Sequence, residues 1–211
     1  MNSRSMTGWL LIFGPLLTFV IWGFLYDAVI GSSDTSTESV AQAMANPELA
    51  RLIGSFGILA FAAMFVGLNM LSRPMMVEGN AGSGFATVAG ILFVLTAAIV
   101  VTAGGMNYGI MEIMETDVVT AEMIDAVSNG TFAGIQLTWS VGMLLLGIAV
   151  WMQKNLPMII ALLFIGFSAV MIVGTFTTMD LDNVVGMIMW MGLSLSIVAA
   201  GVLTLKAKST G

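Results

Sequence analysis

Residues 9–30 read WLLIFGPLLTFVIWGFLYDAVI, and the only charged side chain among them is Asp27, near the far end. A helix needs about 20 apolar residues to cross a hydrocarbon core of roughly 30 Å. The backbone groups of a spanning segment must find their hydrogen bonds inside the membrane, which only helices and closed barrels achieve. A continuous apolar run, without the alternation of a barrel strand, predicts a transmembrane helix.

Five further stretches have the same character, with central parts that lack Asp, Glu, Lys and Arg: 49–72, 84–108, 131–152, 157–178 and 184–205. Composition agrees, because 58% of the residues are hydrophobic and only 9% are charged, whereas a soluble domain carries about 25% charged residues. We predict an all-α integral membrane protein with a single transmembrane domain over residues 1–211. Its six transmembrane helices are expected to form three helical hairpins.

The first outer connection, about 31–48, is predicted to hold a short interfacial helix before the second span. Thr35 and Glu38 have the spacing of a capping box. Asn46 and Pro47 then have the pattern of an N-cap followed by the first helical residue of the next span.

The second outer connection, about 109–130, is predicted to hold another short interfacial helix. Thr120 is its candidate N-cap. The run Ser128-Asn129-Gly130 is expected to end this helix before the fourth span begins.

Small residues predict close contacts between helices. Gly105 and Gly109 form a G-x-x-x-G pair, and Gly54 with Gly57 and the face that contains Gly201 have the same character. Small side chains allow helix backbones to approach closely in a membrane. The sequence leaves open whether these contacts form within the chain or with a partner.

Charge placement predicts the orientation. With six spans, one side of the membrane receives nearly all the basic residues: Arg4, Arg73, Lys154, Lys206 and Lys208. Only Arg51 lies on the other side. Basic residues in short loops mark the cytoplasmic face, so we predict a multi-pass protein of a prokaryotic plasma membrane (inner membrane) with both termini in the cytoplasm.

The acidic residues follow the opposite pattern. Only Glu78 is expected inside, and the outer loops hold the others: Asp27, Asp34, Glu38, Glu48, Glu112, Glu115, Asp117, Glu122, Asp125, Asp180 and Asp182. Acidic residues contribute little to topology, so this asymmetry agrees with the orientation without proving it.

Two absences limit the chemistry. The chain has no Cys and no His, which removes thiolate nucleophiles and the commonest general base and metal ligand. We therefore expect no enzyme activity and no cofactor. The net charge of −6 argues against nucleic acid as a partner, because phosphates require a basic surface.

Residues 109–130, GIMEIMETDVVTAEMIDAVSNG, contain a concentration of carboxylates that could bind a hard cation: Glu112, Glu115, Asp117, Glu122 and Asp125. Calcium requires six to eight oxygen ligands, but the spacing matches no EF-hand loop. Because a run of charges is usually a solvated surface, we expect no bound metal and keep these five residues as candidates.

Four polar residues are candidates for a solute pathway or for polar contacts between helices: Asp27, Asn69, Asn107 and Gln136. Transporters usually carry ionisable groups at bilayer depth, and none lies near the centre of a span here. Amides and hydroxyls in spans often hydrogen-bond to a neighbouring helix instead.

Two classes of function remain. The first is a non-catalytic polytopic membrane protein, either an accessory or scaffold subunit or a protein that binds lipid or partner helices. The alternative is a small-solute or cation transporter or channel with an acidic outer vestibule, which a water-accessible cavity reaching Asn69, Asn107 or Gln136 would favour. The expected partners are membrane lipids, together with other membrane subunits or a second copy of the chain.

Overall fold

The computed structural model describes residues 2–177 and 184–207, and every regular element within these ranges is helical. Six of the described helical segments are long and apolar enough to cross a membrane. The predicted all-α membrane fold is therefore confirmed. Asp180, Asp182 and Lys208 lie outside the described residues.

The elements follow one another in this order: α1 (Ser3–Val20), a π-helical turn (Ile21–Leu25), α2 (Tyr26–Val29), α3 (Ser36–Ala45), α4 (Pro47–Ser72), a 3₁₀ turn (Arg73–Met75), α5 (Ser83–Ile113), α6 (Val118–Gln153), α7 (Met158–Phe176) and α8 (Val184–Lys206). The first span consists of α1, the π turn and α2. The other spans are α4, α5, α6, α7 and α8.

The short helix in the first outer connection is confirmed as α3. The Thr35 hydroxyl accepts a hydrogen bond from the Glu38 N–H at 3.2 Å, and the Glu38 carboxylate accepts one from the Asp34 N–H at 3.1 Å. Pro47 is the first residue of α4, as predicted, although the side chain of Asn46 makes no capping hydrogen bond.

The second short helix does not exist as a separate element, and this prediction is wrong. Helix α6 runs without interruption from Val118 to Gln153. Its N-cap is Asp117, with Thr120 inside the first turn. The run Ser128-Asn129-Gly130 does not end the helix, because one glycine costs only about 1 kcal/mol in a helix interior.

The acidic end of the bundle is defined by α3, the C-terminal part of α5 and the N-terminal part of α6. A small second core holds these parts together and contains Ile30, Val40, Ala43, Ala50, Ile110, Met114 and Ala121. Its packing explains why α6 stays helical past the predicted boundary. A helix of 36 residues is about 54 Å long, so α6 extends beyond the hydrocarbon core of a bilayer.

The spans pack in chain order around a ring, in which α8 returns to α1. At the basic end, the Arg4 side chain donates to the Thr204 carbonyl at 2.8 Å, and Gln153 donates to the Met75 carbonyl at 2.8 Å. These contacts join the termini of the ring and the two turns on this side. The residues that define the basic end are Arg4, Arg73, Lys154 and Lys206.

The half of the ring toward the basic end is closely packed. Its interior is filled by side chains with almost no accessible surface: Leu11, Met64, Phe65, Leu68, Phe93, Met143, Leu146 and Phe164. Lipid tails are as apolar as these side chains, so close packing and hydrogen bonds between helices must hold the spans together.

Glycines allow α1 to approach its neighbours in this half. A Cβ atom on Gly201 would lie 2.9 Å from the Gly8 carbonyl oxygen, and one on Gly14 would lie 2.8 Å from the backbone of Met64. The predicted contact face around Gly201 is thus used within the chain. Gly105 and Gly109 differ, because a Cβ atom on either would meet nothing within 4 Å.

We expect Gly201→Leu to destabilise the protein, because the new side chain must push α8 away from α1. Overpacking of a close contact typically costs 1–3 kcal/mol, an amount that should lower the thermal unfolding midpoint in mild detergent by several degrees. Gly105→Leu is the matched control, since it adds the same side chain in open space. Equal midpoints for the two variants would contradict the assigned α1–α8 contact.

Candidate functional site

A cavity of about 520 Å³ lies at the acidic end, between the first span and α4, α5, α6 and α8. Small-molecule sites typically enclose 300–1,000 Å³, so the cavity has the size of a ligand site. Two of its aromatic lining residues, Trp22 and Phe132, are 36% and 47% exposed.

Three aromatic side chains line the inward part of the cavity beside Met64 and Ser194, and we term these three the aromatic floor: Phe61, Trp139 and Trp190. The Trp139 and Trp190 rings meet edge to face with centroids 4.7 Å apart, and Phe61 lies 6.0 Å from Trp139. Beneath the floor, Phe65 packs perpendicular to Trp139 at 5.7 Å. Since Phe65 is fully buried and does not line the cavity, the cavity ends in the middle of the bundle.

The π turn shapes one wall of the cavity. The Tyr26 N–H bonds to the carbonyl of Ile21, five residues back, and the turn carries Trp22. The Trp22 ring lies 5.1 Å from the Tyr26 ring and packs on Gly57, where a Cβ atom would collide with the indole. Single π-helical turns often occur at functional sites, and nothing in the apolar pattern of residues 9–30 reveals this one.

Another part of the wall is apolar and has free space beside it. Ile58 and Val100 line it, and Gly104 contacts the Ile58 side chain. A Cβ atom on Gly54 would meet nothing within 4 Å, although Gly54 is buried and lines the cavity. The space in front of Gly54 therefore belongs to the cavity.

The mouth of the cavity is polar, and Arg51 is its cation. The Arg51 guanidinium lies over the Tyr108 ring, 4.8 Å from the centroid. The Tyr108 hydroxyl is hydrogen-bonded to Ser55 at 2.5 Å, which fixes the ring beneath the guanidinium. One signal in the sequence pointed to this residue, since Arg51 is the exception in the distribution of basic side chains.

Asp125 is the carboxylate of the mouth and is only 7% exposed. It accepts hydrogen bonds from the Asn129 amide at 3.0 Å and the Ser39 hydroxyl at 3.3 Å. Both Asp125 and Arg51 line the cavity, yet within residues 2–177 and 184–207 no ion pair joins them. The mouth therefore presents two opposite charges that do not neutralise each other by direct contact.

The other candidate metal ligands do not assemble. Glu112, Glu115 and Asp117 are exposed, and Glu122 is half-buried without lining the cavity. Among the described residues, no group of three acidic side chains is close enough to hold a metal ion.

Asp117 has a structural role at the start of α6. Its carboxylate accepts hydrogen bonds from the Thr120 N–H at 3.1 Å and from the Thr120 hydroxyl at 2.6 Å. These hydrogen bonds, the one from the hydroxyl above all, lower the pKa of Asp117 below its usual value. The ionised form therefore caps the helix at neutral pH.

The four polar residues singled out from the sequence lie in different places. Asn107 lines the cavity, and its side chain makes no hydrogen bond with the described part of the chain. Asn69 donates to the Gly90 carbonyl at 2.9 Å, and Gln136 donates to the Thr175 hydroxyl at 3.2 Å, so both connect neighbouring spans. Asp27 is exposed near the acidic end of the first span and does not line the cavity.

Comparisons with models of known protein families, with curated proteins and with solved structures find no match for this chain. The fold and the six apolar spans define it as a polytopic helical membrane protein. Any more specific role must be argued from the cavity itself.

Proposed function

We propose that this protein is a non-catalytic membrane protein that binds an amphiphilic molecule, a lipid or a lipid-like compound, in the cavity at the acidic end. The observation that carries the proposal is the polarity of the cavity. Its walls and floor are apolar and aromatic, whereas its mouth holds Arg51, Asp125 and Asn107. An amphiphile has the same division between an apolar chain and a polar head.

The ends of the cavity favour binding over passage across the membrane. The cavity reaches Asn107 from the acidic end and extends inward to Pro15, Met64 and Ser194, while Asn69 and Gln136 do not line it. A solute that continued past Trp139 would have to displace Phe65 and Leu68, which have no accessible surface. Closed packing of this kind supports the binding class over the transporter or channel class.

The side chains of the cavity also favour binding over catalysis. The whole chain lacks His and Cys, and the lining contains one carboxylate, Asp125. Hydrolytic and acyl-transfer sites combine a nucleophile with a positioned base. A protein partner, either another membrane subunit or a second copy of the chain, stays a prediction.

Gly54→Leu tests the proposal, because its side chain enters the cavity. We expect the variant, purified in mild detergent, to carry about one tenth of the lipid per mole of protein that the unaltered protein carries. A tenfold loss of affinity corresponds to ~1.4 kcal/mol of binding free energy. Extraction of the bound lipid and quantitative mass spectrometry measure the effect. Gly105→Leu is the control, since it makes the same substitution away from the cavity.

Two results would count against lipid binding. One is equal lipid retention by Gly54→Leu, Gly105→Leu and the unaltered protein. The other is a solute or cation flux through the protein in liposomes that Gly54→Leu abolishes, because it would favour the transporter class.

We also propose that both termini face the cytoplasm of a prokaryotic cell, so that the cavity opens toward the outer leaflet of the plasma membrane. The support is the gathering of Arg4, Arg73, Lys154 and Lys206 at the basic end, since basic loops stay in the cytoplasm. The acidic end, with Glu112, Glu115 and Asp117, is then outside.

The lack of native cysteine makes the orientation directly testable. Met123, at the acidic end, is 63% exposed, and Ser3 is exposed at the start of α1. We expect a membrane-impermeant maleimide to label Met123→Cys on intact cells and Ser3→Cys only after lysis. The reverse pattern would contradict the proposed orientation.

A further inference from the structure

Arg51 can receive an anionic group. Of the basic residues in the described ranges, it alone lies at the acidic end, and only the face of its guanidinium is engaged, by the Tyr108 ring. Its N–H donors bond to no acceptor in this part of the chain. A guanidinium presents five N–H donors in a planar fork that matches the oxygens of a phosphate or a carboxylate.

Asp125 can receive a cationic group. An ionised carboxylate offers about four lone-pair sites, and Ser39 and Asn129 occupy two of them. A buried charge is costly unless it is paired as well as hydrogen-bonded. Because no basic side chain pairs with Asp125 in the described ranges, an ammonium group that entered the mouth would supply the missing counter-charge.

The two groups belong to one cavity and carry opposite charges. We infer that the ligand has a zwitterionic head, whose phosphate binds Arg51 while its primary ammonium binds Asp125. This inference rests on the proposed lipid-binding function and narrows it to a class of lipid. Asn107 lines the same mouth, and its side chain has no hydrogen-bond partner among the described residues, so its amide can bond to the head.

Two other head chemistries fit less well. An anionic head would satisfy Arg51 but would place a negative group near the buried carboxylate of Asp125. A quaternary ammonium head has the right charges, yet it has no N–H with which to donate a hydrogen bond to that carboxylate. The charges of the mouth therefore favour phosphatidylethanolamine over phosphatidylglycerol and phosphatidylcholine with the same acyl chains.

The experiment measures how the delipidated full-length protein in detergent binds these three lipids, each with identical chains, by native mass spectrometry. We expect the protein to prefer phosphatidylethanolamine. Arg51→Gln should weaken binding of all three lipids by about tenfold, since each carries a phosphate and a hydrogen bond to a charged group contributes that order of affinity. Asp125→Asn should selectively weaken phosphatidylethanolamine and abolish its advantage over phosphatidylcholine.

Two control variants remove a charge of the same sign outside the cavity. Arg73→Gln removes a cation at the other end of the second span, and Glu122→Gln removes a carboxylate one turn from Asp125; neither residue lines the cavity. Both variants should keep the order and strength of lipid binding. Asp125→Glu, which keeps the charge, should retain a preference for phosphatidylethanolamine and so separates loss of charge from a folding defect.

The outcomes distinguish this inference from the proposed function. If Gly54→Leu abolishes lipid retention while Arg51→Gln leaves the affinity for all three lipids unchanged and Asp125→Asn leaves their relative binding unchanged, the head-group assignment is wrong and lipid binding stands. A preference for phosphatidylglycerol in the unaltered protein would also overturn the assignment. If Gly54→Leu retains lipid as well as Gly105→Leu does, lipid binding in this cavity fails, and the head-group assignment with it.

Discussion

The close approach of α1 to α4 and α8 at the basic end is the contact on which the rest of the structure depends. Glycines at positions 8, 14 and 201 bring the backbones together there, because a Cβ at any of them would collide with the neighbouring helix. Toward the acidic end, the first span carries bulky side chains instead, including Phe19, Trp22 and Tyr26. The helices are therefore close together at the basic end and further apart at the acidic end, where the cavity forms.

The polar groups of the spans divide in the same way. In the packed regions, Asn69, Gln136 and the pair Thr96–Thr138, at 2.9 Å, hydrogen-bond across neighbouring helices. Such bonds contribute about 0.6 kcal/mol each in a membrane protein, so they orient the helices more than they stabilise them. At the mouth, Arg51 and Asp125 line one cavity without direct contact. Both charged groups can therefore bind a ligand at this end.

Sequence patterns predicted the spans because the membrane imposes a local requirement, a long apolar helix, that each segment must satisfy alone. The α3 cap was predictable for the same reason, since Thr35 and Glu38 lie within one turn. The structure of the second outer connection was not predictable. Helix α6 continues through Ser128 and Gly130 because it packs against α3, and this contact joins residues that are distant in the sequence. The π turn at Ile21–Leu25 could not be predicted either, because it does not change the hydropathy of the first span.

The site was predictable only in part. Asn107 and Asp125 were among the candidate residues, but for different reasons, and no pattern joined them to Arg51. Asp125 was one of five candidate metal ligands, and only the uninterrupted α6 turns it into the cavity while Glu112 and Glu115 stay exposed. A cavity lined from Pro15 to Ser194 depends on tertiary packing that local periodicity does not encode.

The most direct test of this account is the accessibility of single cysteines at the two ends of the ring. Asn107 lines the cavity, and Ser72 is fully buried in the packed half. In detergent-purified protein, a polar maleimide should label Asn107→Cys rapidly and leave Ser72→Cys unreacted until the protein is unfolded. Comparable labelling of both positions, or protection of Asn107→Cys in lipid-free protein, would contradict a bundle that is closed at its basic end and open at its acidic end.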